Sequence, residues 1–143
     1  EHLRTDNEIQ YFWLGQQPYQ PIWNLQKQLH AKRVSGEIPD IVLLLEHDHV
    51  YTFGKNADED FLLNNRPNDA EVVKTDRGGQ VTYHGPGQVV LYVLLDLKRI
   101  NMGPRELVRR IECGVIRYLK VFDINGERIE GAPGIYVAGG TGF

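Results

Sequence analysis

The sequence predicts an α/β domain, and three observations point there. Short apolar runs of strand length, bounded by Gly, Pro, Asn or Asp, recur between Ile9 and Val137. Two longer segments, opened by Pro21 and Pro104, carry apolar residues at helical spacing. No stretch reaches the roughly 18 consecutive apolar residues of a membrane span, the best runs being Ile41 to Leu45 and Val89 to Leu95.

Taken in order, Ile9 to Leu14 is short and aromatic and is closed by Gly15, as a first strand would be. A helix follows, with Pro21 in its first turn, Ile22, Leu25 and Leu29 on one face, and Gly36 as its stop. Ile41 to Leu45 is apolar without alternation, the pattern of a strand buried on both faces. Val50 to Phe53 is expected to pair with it across a short turn. Lys55 to Ala70 is polar and reads as a surface loop of a length that often carries function. Glu71 to Asp76 and Gln80 to His84 read as strands joined by Arg77-Gly78-Gly79, and Val89 to Leu97 as a long central strand. In the second helix Leu107, Val108, Ile111, Val115, Tyr118 and Leu119 share the face expected to pack on a sheet, opposite Arg109, Arg110, Arg117 and Lys120. Val121 to Ile124, Asn125-Gly126 and Glu127 to Glu130 carry a hairpin signal, and Gly134 to Val137 begins a last strand.

Composition narrows the function classes. With 143 residues, 41% hydrophobic and 24% charged, the chain is expected to form one globular domain over 1–143. Its single cysteine, Cys113, excludes an internal disulfide and favours a reducing compartment, with the cytoplasm as the default location and an organellar matrix equally compatible with the composition. A net charge of -3 argues against a general binder of nucleic acid or membrane surfaces. The N-terminus shows no signal-peptide pattern and no initiator Met, which suggests a processed chain or a fragment.

The densest segment is Arg77-Gly-Gly-Gln-Val-Thr-Tyr-His-Gly-Pro-Gly-Gln88, with four glycines and one proline among strand-forming residues. Glycine suits places where the backbone turns tightly or approaches a ligand, since no Cβ intervenes. A glycine-rich hairpin with an incidental histidine would explain a lone Gly-Gly pair, but a run of this length calls for more. Elsewhere the signals are bland. His47-Asp48-His49 lacks further ligands at metal spacing and reads as a strand-end turn. Gly54-Lys55 is not a phosphate loop, because His49 stands where that motif's first glycine belongs and Asn56 replaces Ser or Thr. Asp58 and Asp60 are expected to solvate their loop. Cys113 shares a helix face with arginines and reads as an ordinary, partly exposed thiol.

Arg77 to Gln88 resembles the signature of the lipoyl(octanoyl)transferase family. Leu43-Leu-Leu-Glu-His47 with Val50-Tyr-Thr-Phe-Gly54 is similar to the family's preceding strand pair, and Gly131-Ala-Pro-Gly-Ile-Tyr-Val137 to its segment after the second helix. The resemblance implies a mixed sheet flanked by helices, the fold of biotin and lipoate protein ligases. It implies transfer of an octanoyl chain from octanoyl-acyl carrier protein to a lysine of lipoyl domains, those of 2-oxoacid dehydrogenases and the glycine cleavage H protein, with no cofactor. It also implies a substrate-binding stretch made of Arg77, Gly78, Gly79, Gln80, Val81, Thr82, Tyr83 and His84. The glycine turn would form a wall of an acyl tunnel, with His84 and backbone N–H groups at its polar end, near the thioester carbonyl.

The family resembled uses a cysteine nucleophile with a lysine beside it, and no Lys or Cys occurs from Ile129 onward. No catalytic residue is therefore assigned, and the chain is expected to be the larger N-terminal part of a transferase, inactive alone. Two rivals remain: an acyl-chain or carrier-protein binding fragment, and an ATP-dependent lipoate or biotin ligase relative, which the Gly-Pro-Gly-Gln run after His84 speaks against.

Overall fold

The computed structural model describes residues 9–57 and 67–137, and they form two compact units, one within 1–96 and one within 97–143. Asp58, Asp60 and the C-terminal 138–143 fall outside the described residues. The architecture is mixed α/β as expected, with parallel and antiparallel pairings in the same sheets.

The first unit contains two three-stranded sheets and one helix. In the first sheet β1 (Gln10–Gln17) runs parallel to β2 (Ile41–His47), which pairs antiparallel with β6 (Val90–Leu94). In the second, β3 (Val50–Phe53) lies between β4 (Glu71–Lys74), parallel, and β5 (Val81–His84), antiparallel. Helix α1 (Tyr19–Val34) serves both. Ile22, with Leu25 and Leu29 beside it, packs on Ile41, Leu43 and Leu45 of the first sheet. Tyr19 and Trp23 pack on Val50 and Val73 of the second. Leu45 is fully buried, and a side chain of its size contributes on the order of 2 kcal/mol by leaving water. The helix ends where Gly36, at φ 76°, turns the chain so that its N–H reaches Arg33 O and that of Glu37 reaches Lys32 O, satisfying two carbonyls the helix leaves open.

Several expectations from sequence change here. The first strand does not stop at Gly15: it runs on to Gln17 through a bulge, with Gly15 at φ 68° supplying the extra residue between Trp13 and Gln16. β3 does not pair with β2, because β1 and β6 already occupy both edges of that strand. The strands on either side of Arg77-Gly78-Gly79 flank β3 instead of pairing with each other. The Val89–Leu97 run yields only a five-residue strand at the edge of its sheet. β2 alternates buried and half-buried positions, with Ile41, Leu43, Leu45 and His47 on the fully buried side.

The second unit holds α2 (Pro104–Lys120) and a hairpin of β7 (Gly126–Ile129) and β8 (Ala132–Val137). The hairpin lies one strand later than expected, turning at Glu130-Gly131. Val121 to Asp123 instead close the helix. Asp123 sits at φ 57°, its N–H bonds Lys120 O, and Ile124 N–H bonds Leu119 O. The hairpin meets only part of the expected stripe: Leu119, with Ile116 beside it, is set over Gly126, while Val108, Ile111, Val115 and Tyr118 stay exposed and no α2 residue is buried. A Cβ at Gly126 would fall 2.7 Å from the Ile135 side chain and 2.9 Å from that of Leu119, so a larger residue there would have to displace these side chains. Glu112 adds the polar link, bonded to Arg128 Nε at 2.8 Å and to the Gly134 N–H at 3.2 Å. Those bonds hold its carboxyl below the usual carboxylate range. No helix among the described residues is long and apolar enough to cross a membrane.

Candidate functional site

The Arg77–His84 stretch begins as a turn and ends as β5, and β3 holds both parts. Arg77 lays its guanidinium along Thr52, with Nε at 3.2 Å and Nη2 at 2.9 Å from Oγ1, and Nη2 also bonds the Thr52 carbonyl. Thr52 is fully buried and passes its own hydroxyl proton toward Thr82 O at 3.4 Å. Backbone bonds add to this: Gly54 N–H to Gln80 O at 3.1 Å and Lys55 N–H to Arg77 O at 2.9 Å. Gly79 sits at φ 83°, a conformation that L side chains rarely adopt. Gly54, which the sequence suggested only as a strand end, is a glycine because the Gly79 carbonyl lies against it. A Cβ there would sit well inside the 3.0 Å below which real Cβ contacts essentially do not occur.

Because β5 is a strand, the eight residues cannot all face one ligand. Thr82 and His84 stand opposite Thr52 and Val50, while Val81 and Tyr83 stand opposite Phe53 and Tyr51. Tyr83 points to the other face, where its hydroxyl bonds His49 Nδ1 and its ring lies 5.0 Å from Tyr51. His84 turns toward α1 and the first sheet, and its ring centroid is 6.1 Å from that of His47. Gln88 bonds His84 Nδ1 through its carbonyl oxygen at 2.5 Å, so the ring proton sits on Nδ1 and Nε2 is left as an acceptor.

Around His84 the structure gathers residues the sequence did not single out as a site. His47 is fully buried, with Nδ1 3.0 Å from Gln17 O and Nε2 2.8 Å from the Tyr92 hydroxyl. The Tyr19 ring lies 5.1 Å from it and the Tyr92 ring 5.8 Å. Burial lowers the His47 pKa, and the neighbouring His84 acts in the same direction. Burial likewise pushes the Tyr92 phenol up to about 12 and raises that of Tyr19. All three are therefore neutral at physiological pH, suited to hydrogen bonding rather than to carrying charge. Period-two alternation from Ile41 was the available signal for His47, since it places this residue on the core face of β2.

Of the backbone N–H groups expected at the polar end, that of Gly87 is taken by the Glu46 carboxylate at 2.8 Å, and that of Gln88 closes a turn onto Gly85 O at 3.2 Å. His47, Asp48 and His49 form a strand-end turn as expected. His49 points to Tyr83, Asp48 bonds Gln16, and no group of side chains suited to a metal ion occurs among the described residues. Cys113 is exposed in the second unit, with Arg128 Nη2 3.0 Å from its sulfur.

Comparison with known proteins completes the picture. An octanoyltransferase of Aeromonas salmonicida is 46% identical over 130 residues, covering 91% of this chain and 56% of that protein. One of Nitrosomonas europaea is 47% identical over 126 residues, covering 88% of this chain and 60% of that protein. The chain thus spans little more than half the length of these relatives. A solved structure from T. acidophilum, of a protein provisionally assigned as a lipoate protein ligase, matches with a TM-score of 0.54 at 16% identity. It covers 89% of this chain and 55% of the other, and shows a shared fold. The family model described as the lipoyl protein ligase A/B catalytic domain matches residues 18–140, and the chain belongs to that family.

Proposed function

We propose that this chain comes from an octanoyltransferase of lipoate assembly, which moves an octanoyl group from acyl carrier protein to a lysine of lipoyl domains. The acceptors are those of 2-oxoacid dehydrogenases and the glycine cleavage H protein, and the setting is the cytoplasm. The observation that carries this reading is the Arg77–His84 stretch, anchored on β3 with Thr82 and His84 on one face. The octanoyl chain runs along the glycine turn and that face. His84 Nε2, an acceptor, takes a hydrogen bond from an N–H of the thioester arm or of the incoming amine.

In the transfer a cysteine thiolate attacks the thioester carbonyl and expels the carrier thiolate. The lysine amine then attacks the new thioester, expels the cysteine thiolate and gives up a proton. Cys113 is not that nucleophile: it stands mid-helix on α2, with Arg128 Nη2 3.0 Å from its sulfur, outside the segment in which the family resembled carries its cysteine. Residues 1–143 by themselves bind the acyl group without turning it over.

Intact mass spectrometry after incubation with an octanoyl thioester tests this. A protein of the relatives' full length should gain an octanoyl group and pass it to a lipoyl domain without ATP, while the 143-residue chain stays unmodified. A requirement for ATP would favour a ligase instead, and an adduct on Cys113 would overturn the assignment of the nucleophile.

A further inference from the structure

We propose that His47 is a positioning residue: pinned at both ring nitrogens, it sets where the His84 imidazole lies and so shapes the polar end of the substrate-binding stretch. The proposal rests on the octanoyl-binding reading for its ligand, but its geometry stands apart from that reading. A carbonyl oxygen can only accept, so the Gln17 contact at 3.0 Å places the His47 proton on Nδ1. Nε2 is then an acceptor, and the Tyr92 hydroxyl donates to it at 2.8 Å. The Gln26 side chain of α1 acts against the rise in the Tyr92 pKa that burial causes.

Both His47 bonds come from the first sheet: Gln17 ends β1 and Tyr92 lies on β6. His84 belongs to the second sheet, at the end of β5. Its ring meets that of His47 at 6.1 Å, while its own hydrogen bond goes to Gln88, four residues on in the chain. A bond so local cannot by itself place the ring relative to the first sheet, and the contact with a fixed neighbour can. The charged and titratable groups around His47 are few: Tyr19 on α1, Tyr92 on β6, His84 on β5 and Asp48 next in the chain. No carboxylate bonds either nitrogen, and burial outweighs the Gln17 carbonyl and Asp48, which favour the charged form, so the pinned orientation is that of one neutral tautomer.

Tyr92→Phe isolates the effect, because it removes one hydroxyl on the far side of His47 and leaves the ring volume in place. The assay is long-range nitrogen–proton NMR of the imidazoles, with S-octanoyl-pantetheine as the binding probe. In the wild type both His47 and His84 should show the Nδ1–H tautomer. In Tyr92→Phe the His84 ring signals should move although no bond to His84 was removed, the His49 signals on the opposite face should stay, and probe affinity should fall about two- to tenfold, as for one hydrogen bond. His47→Gln, which keeps a donor and an acceptor but loses the ring, should move His84 further still. A purely structural role would lower the melting temperature of both variants while leaving the His84 signals of the folded protein where they were, and that result overturns the proposal. If the wild type fails to bind the probe, the octanoyl reading falls for this chain, and the His84 signals alone decide the positioning role.

Discussion

Replacing Gly54 by Ala adds a single methyl group, and the structure makes it expensive. The new Cβ would press on the Gly79 carbonyl oxygen, with the Gly79 carbonyl carbon 2.9 Å and the Arg77 carbonyl oxygen 3.2 Å away. All three are backbone atoms, so no side chain can rotate aside. Relief requires the glycine turn to lift off β3, which stretches the bonds from Gly54 N–H to Gln80 O and from Lys55 N–H to Arg77 O. Overpacking of this kind costs about 1–3 kcal/mol, and each weakened hydrogen bond adds about 1 kcal/mol. Against this, Ala reduces the freedom of the unfolded chain and returns about 0.4–1 kcal/mol. The net expectation is a loss of about 3 kcal/mol, on the order of 15 °C in melting temperature for a unit of this size. Urea titration and thermal melting followed by circular dichroism would measure it, with Gly78→Ala as the control. A Cβ at Gly78 meets nothing within 4 Å, so that variant should stay within about 0.5 kcal/mol of wild type. Should Gly54→Ala melt with the wild type, the close approach of the turn to β3 would be refuted.

Other outcomes follow from the same structure. Gly79→Leu should abolish S-octanoyl-pantetheine binding, because it strains the φ of 83° and places a side chain in the turn; unchanged affinity would remove this turn from the acyl path. Asp40→Ala should cost about 3–5 kcal/mol, as breaking a buried ion pair does, because the Asp40 side chain is fully buried and bonds Arg33 Nε at 2.6 Å and the Asp96 N–H at 3.0 Å. Glu106→Ala, which breaks an exposed pair with Arg110, should cost no more than about 0.5 kcal/mol, and equal losses in the two variants would refute the ranking. His47 has a pKa lowered on folding from 6.5, so its unfolded form binds the proton more readily. Its contribution is complete above that pH and is lost as pH falls from there through the lowered folded value, with a slope of at most about 1.4 kcal/mol per pH unit. Denaturation across that window should show a steeper fall for wild type than for His47→Gln, and parallel curves would count against a buried neutral imidazole.

Much of this fold was legible as local pattern. Ile22, Leu25 and Leu29 marked the packing face of α1, Gly36 its end, and the prolines the starts of both helices, because capping and periodicity act within a few residues. The Arg77–Gln88 stretch stood out for its glycines, and family membership was readable from the same residues. Pairing was not legible. Val50 to Phe53 follows β2 closely enough to suggest a hairpin, yet β1 and β6 compete for the same edges of β2 and occupy them, a choice made by residues as distant as Val90. Asn125-Gly126 carried a hairpin signal, but Asp123 had already taken the left-handed position that ends α2, and the glycine serves helix contact instead. The gathering of Tyr19, His47, His84 and Tyr92 likewise depended on long-range pairing, since they come from one helix and three strands. The sequence alone determined which segments become helix or strand and which stretch is built around glycine, because those properties arise from neighbouring residues. Only the tertiary structure decided which strands pair, which face of β5 meets His47, and why Gly54 has to be glycine, since each of these is a contact between residues far apart in the chain.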